Sequence, residues 1–163
     1  MTRSFLVRAV GIAALLLVTG CATVPKASDR LAQQSRTFVP PPGKANVYVI
    51  RPYNYIGSGL RWTVTLDSIE FGNLGLRSYL YGVVEPGEHV VGSLPPQVGG
   101  SPNQVGFAAV EGRNYFFKVS PGVLGYSVDI EPLDEQAGRS RVLDYTPSGD
   151  NRFELLESQS PLR

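Results

Sequence analysis

The sequence predicts an all-β protein: a small antiparallel β-sandwich of about seven or eight short strands, preceded by a leader and a short tether. Two observations predict it. Eighteen glycines and thirteen prolines stand beside eight tyrosines and seven phenylalanines, the composition of short strands joined by tight turns. Segment after segment also alternates apolar and polar residues between turn signals, as a half-buried strand requires. A small barrel would share these features. One polar face per strand favours two sheets packed about 10 Å apart.

Residues 1–20 read as a secretory leader. Arg3 and Arg8 supply the positive start, Ala9 to Val18 the apolar stretch, and Thr19-Gly20 the small-residue exit. Ten apolar residues fall short of the roughly 20 that cross about 30 Å of hydrocarbon, so cleavage between Gly20 and Cys21 is expected. Val18-Thr19-Gly20-Cys21 resembles the lipobox of bacterial lipoproteins. The resemblance implies that Cys21 becomes the first mature residue and carries a diacylglycerol on sulfur, with a further acyl chain such as palmitate on its amine. A single chain holds a protein only reversibly, whereas two or more anchor it stably. By the same resemblance to Gram-negative lipoproteins, in which an Asp after the cysteine favours inner-membrane retention, Ala22 implies the outer membrane, facing the periplasm. The plainer alternative is an ordinary secretory signal with an incidental cysteine.

Residues 21–43 read as a lipidated tether. Ser28 is placed to cap a short helix over Asp29 to Arg36, with Leu31 and Phe38 as apolar contacts. A plain linker fits the same residues. Pro40-Pro41-Pro42-Gly43 then favours a stiff extended spacer.

The β-domain is expected over residues 44–146. Asn46 to Arg51 is a β-branched and aromatic run ended by Pro52, followed by a loop from Tyr53 to Gly59. In Arg61 to Leu66, Trp62, Val64 and Leu66 share one face. Asp67-Ser68 is a turn, weaker than Asp-Gly, and Ile69 to Leu74 the return strand. Ser78 to Glu85 is a strand, Glu85-Pro86-Gly87-Glu88 a type II turn, and His89 to Ser93 a further strand. After a Pro/Gly loop from Pro95 to Asn103, Gln104 to Val110 and Tyr115 to Ser120 form a hairpin across Glu111 to Asn114. Tyr126 to Glu131 alternates again, and Asp134 to Leu143 holds a short helix or turn. The tail, 147–163, is polar and expected to be loosely held.

The chain has 15 basic and 14 acidic residues. With Arg3 and Arg8 cleaved away the mature balance is one charge negative, which gives no case for nucleic acid. Cys21 is the only cysteine. Once it is acylated, disulfides, thiol catalysis and cysteine metal ligation all disappear.

Catalytic constellations are scarce. His89 is the only histidine; a catalytic histidine needs a nucleophile and an orienting acid, and one histidine makes a zinc site improbable. The sets Asp67 with Glu70 and Asp129 with Glu131 read more simply as turn and solvent-face residues than as a hydrolytic pair. No P-loop, Gly-x-Ser-x-Gly or dinucleotide fingerprint occurs. No cofactor and no metal is expected. Most aromatics read as core. Tyr53 and Tyr55 flank a loop with Arg51 and Arg61 close in sequence, and those four are the candidate ligand-contact residues.

Several segments resemble a known family. They are Phe38 to Ala45 (FVPPPGKA), Val47 to Pro52 (VYVIRP), Val84 to His89 (VEPGEH) and Gly112 to Val119 (GRNYFFKV). Together they resemble the bacterial lipoprotein domain of unknown function numbered 2846, and the Pro-Gly-x-His strand is similar to PEGA-type surface modules. Asp67-Ser68 departs from that family's Asp-Gly hairpin. The resemblance implies a β-sandwich in the envelope and assigns no activity. The expected function is therefore non-enzymatic, a membrane-anchored structural or protein-interaction module. A peptidoglycan- or glycan-binding module is the alternative, and an envelope hydrolase a distant third.

Overall fold

The computed structural model describes residues 29–56, 58–94, 103–122 and 127–152. The leader, Gly20, Cys21, Ser28, Gly57, the segment 95–102, Tyr126 and the tail from Phe153 lie outside the described residues.

Nine strands and two helices are seen among the described residues. In order they are α1 (Asp29–Thr37), β1 (Ala45–Arg51), β2 (Trp62–Leu66), β3 (Ile69–Leu74), β4 (Ser78–Val84), β5 (Gly87–Ser93), β6 (Asn103–Ala109), β7 (Asn114–Pro121), β8 (Val128–Leu133), α2 (Glu135–Asp144) and β9 (Thr146–Pro147). They form a five-stranded sheet, β8-β7-β1-β4-β9, and a four-stranded sheet, β3-β2-β5-β6. The chain is an all-β sandwich. The five-stranded sheet is mixed rather than antiparallel, because β1 pairs with β7, and β4 with β9, in parallel.

The inner core fills the space between the sheets. Val47 and Val49 of β1, Leu80 of β4 and Phe117 and Val119 of β7 meet Trp62, Val64, Leu66, Phe71, Leu74 and Val91 from the other sheet. The alternation of Trp62, Val64 and Leu66 is realised, with Thr63 and Thr65 half-buried on the opposite face. Asp67 and Ser68 both take positive φ, 53° and 67°, so the β2–β3 hairpin keeps a primed two-residue turn without its glycine. A bulge between Val64 and Thr65 then shifts the phase of β3. That extra residue buries Phe71 and leaves Glu70 half-exposed.

A second core lies on the outer face of the five-stranded sheet, where α1 and α2 cover Tyr48, Ile50, Tyr79, Tyr81 and Phe116. Strand β1 is therefore buried along its whole length and on both faces. Helix α1 has Asp29 in its first turn and Arg36 in its last, matching the helix dipole. Leu31 and Phe38 pack into this core. Asp134 caps α2 by accepting from Ala137 N at 2.8 Å.

Three expectations change. Strands β6 and β7 are not a hairpin; they belong to different sheets. The crossover is fixed by Gly112 N donating to Lys44 O at 2.8 Å and Asn46 N donating to Arg113 O at 3.0 Å, which draws β7 alongside β1. Likewise Glu85-Pro86 carries the chain from one sheet to the other, with Gly87 at φ 145°. The body also reaches further than residues 44–146 at both ends. Residues 29–43 pack against it, with Ser35 fully buried. Beyond 146, Ser148 donates to Asn73 O at 2.7 Å, and the buried Asn151 bridges Gly72.

Candidate functional site

The connections of this sandwich sort to two ends. The C-terminal ends of β1, β5 and β7 and the N-terminal ends of β2, β4, β6 and β8 lie at one end, as the strand registers require. They flank the connections 52–61, 94–102 and 122–127. The opposite end holds the short Asp67-Ser68 turn and the two tight crossovers. Loops carried on a rigid scaffold are where binding residues concentrate.

The four candidate contact residues belong to this end, but they do not form one surface. Tyr53 is 63% exposed and Tyr55 84%, with Ile56 beside them and Leu94 at the end of β5 also exposed. Arg61 is part-exposed and pairs with Asp150 at 3.2 Å. Arg51 is not a surface residue: it is 1% exposed. Its Nη1 donates to Leu60 O at 2.6 Å and Leu74 O at 2.9 Å, and its guanidinium lies 3.7 Å from the centroid of the Trp62 ring. Burial lowers its pKa to about 10, so it remains a cation at neutral pH. The guanidinium fork supplies several donors in fixed geometry. Arg51 uses them to tie the end of β1 to the chain entering β2 and the chain leaving β3. It positions the loop rather than touching what the loop meets.

Trp62 is likewise 1% exposed. A sugar-stacking platform of Tyr53, Tyr55 and Trp62 therefore does not form, and two tyrosines remain. Sequence alternation did put Trp62 inside. It could not reveal that a cation sits on the tryptophan face, because Arg51 at the end of an apolar strand reads as a solvent-facing stop.

His89 lies at the other end. Its Nδ1 is 2.7 Å from Asp67 Oδ2 and its Nε2 2.8 Å from the Glu85 carbonyl oxygen. A carboxylate is thus within reach, but both ring nitrogens are engaged and neither is directed at a nucleophile. Asp67 also accepts from Val90 N through Oδ1 at 2.9 Å. The arrangement clasps the β2–β3 turn to the start of β5. Two of the three other carboxylates considered for chemistry hold ion pairs: Glu70 with Arg152 and Glu131 with Lys118. Among the described residues no group of three or more metal-ligating side chains is assembled.

No family model matches the chain. It is similar to an uncharacterized protein of Haemophilus influenzae (strain ATCC 51907 / DSM 11121 / KW20 / Rd), with 26% identity over 138 residues. The match covers 83% of this chain and 80% of that protein.

Proposed function

We propose that the protein is a non-enzymatic outer-membrane lipoprotein, anchored through acylated Cys21 on the periplasmic side and acting by contact with other envelope components. The observation that carries the reading is the sequence Val18-Thr19-Gly20-Cys21 behind a short apolar leader. The folded chain adds a distance. Helix α1 begins at Asp29 and packs on the folded body, so at most residues 22–28, and not the whole of 22–43, separate that body from Cys21. Seven extended residues reach at most about 25 Å. The sandwich is then held close to the bilayer, and the Pro-rich segment serves as a packed connection into β1.

The test is a whole-cell fractionation of the wild type and Cys21→Ala, with intact mass measured on the purified chain. The expected wild type is acylated and pelleted with membranes, and the variant is not. A variant that stays membrane-bound, or a wild type of unmodified mass, overturns the anchor. A second reading, glycan binding, is favoured by the exposure of Tyr53 and Tyr55 in one loop, since amphipathic aromatic rings suit wet contact surfaces. Replacing both with Ala should abolish sedimentation with purified peptidoglycan and leave the circular dichroism spectrum unchanged. Undiminished sedimentation removes those residues from the function.

A further inference from the structure

The two sheets have four outer edges, and they are not equally protected. Edge strand β3 is bulged, bridged at Gly72 by Asn151 and flanked by the Arg152–Glu70 ion pair. Edge strand β8 carries Asp129, Glu131 and Pro132. Strand β9 is two residues long and ends in Pro147. Bulges, charges, prolines and brevity are the devices by which folded proteins prevent edge pairing. Strand β6 has none of them. It runs seven residues, Asn103–Ala109, with no charge and no proline.

Its free side can be located. Gln104 N donates to the side chain of Asn103 at 2.8 Å, so it points away from β5. The period of two then turns the N–H and C=O of Gly106 and Ala108 the same way. Among the described residues nothing pairs with them. Gly106 is also unexplained by its own chain. A Cβ there would meet only His89 O, at 3.9 Å, and its φ is not in the left-handed region. Glycine inside a strand often marks the close approach of another backbone.

We propose that β6 pairs antiparallel with β6 of a second copy about a two-fold axis at Gly106, joining two four-stranded sheets into one of eight strands. The strand suits itself as a partner. Gly106 faces Gly106 of the second copy, Val105 faces its Phe107, and Gln104 faces its Ala108. No like charges meet, and the half-buried Val105 and Phe107 cover one another. Because the strand pairs with itself about a two-fold axis, the contact closes at two copies instead of growing into a fibre.

The experiment uses the full mature chain in detergent. Sedimentation velocity and native mass spectrometry should show a dimer, and Gly106→Lys should raise its dissociation constant about tenfold or more by placing two cations across the axis. Gly106→Cys, whose side chain has room, should be joined to its own copy by a short bismaleimide, whereas Ile69→Cys at the far edge should not. The second variant decides the matter if the lysine variant fails to fold. A wild type that stays monomeric, a dimer indifferent to Gly106→Lys, or equal crosslinking at both positions overturns the proposal.

Discussion

The inner and outer faces of the five-stranded sheet are packed by the same strands with different chemistry. The inner face is closed by aliphatic side chains, Phe71, Phe117 and Trp62. The outer face is closed by tyrosines whose hydroxyls hold the covering helix. Tyr48 donates to Ser35 O at 2.8 Å, Tyr79 and Ser35 Oγ share a hydrogen bond of 2.8 Å, and Tyr81 donates to Asn46 Oδ1 at 3.1 Å. Asn46 in turn bonds Asn114, which donates to Phe38 O. An apolar interface is stabilised by area and shape and tolerates small slips. A hydrogen-bonded one specifies position, because each buried partner left unmade costs more than the bond contributes. The inner core thus supplies most of the stability, and the outer core fixes where α1 sits.

The largest expected effect lies inside. Phe71→Ala removes the ring that the β3 bulge turns into the core, and should destabilise the protein by about 3–5 kcal/mol in urea unfolding. A loss below about 1 kcal/mol would mean that the sheets are not held by this core. Gly138→Ala probes the outer layer by overpacking. Its Cβ would fall on the Phe116 ring, which is stacked on Tyr48 with centroids 4.7 Å apart. A cost of about 1–3 kcal/mol is expected, with α2 shifted outward in amide chemical shifts.

The two faces were also unequally legible in the sequence. Trp62, Val64 and Leu66 declare the inner face by strict alternation. The outer face is hidden because β1 is apolar on both sides, and a continuous run does not say what covers its second face. Helix α1 carries little apolar surface beyond Leu31, so its docking rests on Phe38, expected with Leu31 as an apolar contact, and on Ser35, which no periodicity marks. Partner choice was hidden for a related reason. Glu111 to Asn114 signals a change of direction equally for a hairpin and for a crossover between sheets. Only the bonds from Gly112 N to Lys44 O and from Asn46 N to Arg113 O decide. Arg51 misleads because its aliphatic stem and charge read alike in core and surface settings. The polar residues after 146 misled in the same way: Ser148 and Asn151 are buried as hydrogen-bonding partners of sheet edges.

Tyr48→Phe sharpens the comparison, since it removes one hydroxyl and almost no volume. The Ser35 carbonyl loses its donor, and the expected cost is about 1–2 kcal/mol. The specific readout is faster hydrogen exchange of α1 amides with inner-strand amides unchanged; uniform acceleration would merge the two cores into one unit. The same tyrosines predict an alkaline limit. Burial raises the pKa of Tyr48 and of Tyr79 above the ordinary phenol value of 10.0. Both are neutral below that value folded or unfolded, and only the unfolded chain ionises them just above it. Their contribution is therefore complete below pH 10 and is lost as pH rises through the higher folded values. Tyrosinate absorbance should show a late fraction that appears together with loss of α1.

The smallest effect separates global from local opening. Ser68 sits at φ 67° in the β2–β3 turn, a conformation that glycine adopts without Cβ strain. Ser68→Gly should stabilise the protein by about 0.5–1 kcal/mol, the strain relief being partly offset by the freer unfolded chain. The gain lies in the four-stranded sheet, away from α1. If α1 opens by breaking only the tyrosine contacts, its exchange rates stay at wild-type values while the urea midpoint rises. If α1 leaves only when the sandwich unfolds, its exchange slows by the full increment. Strand and helix amides read in one experiment therefore report whether the hydrogen-bonded layer is a separate cooperative unit, and so whether the segment nearest Cys21 can detach while the sandwich stays folded.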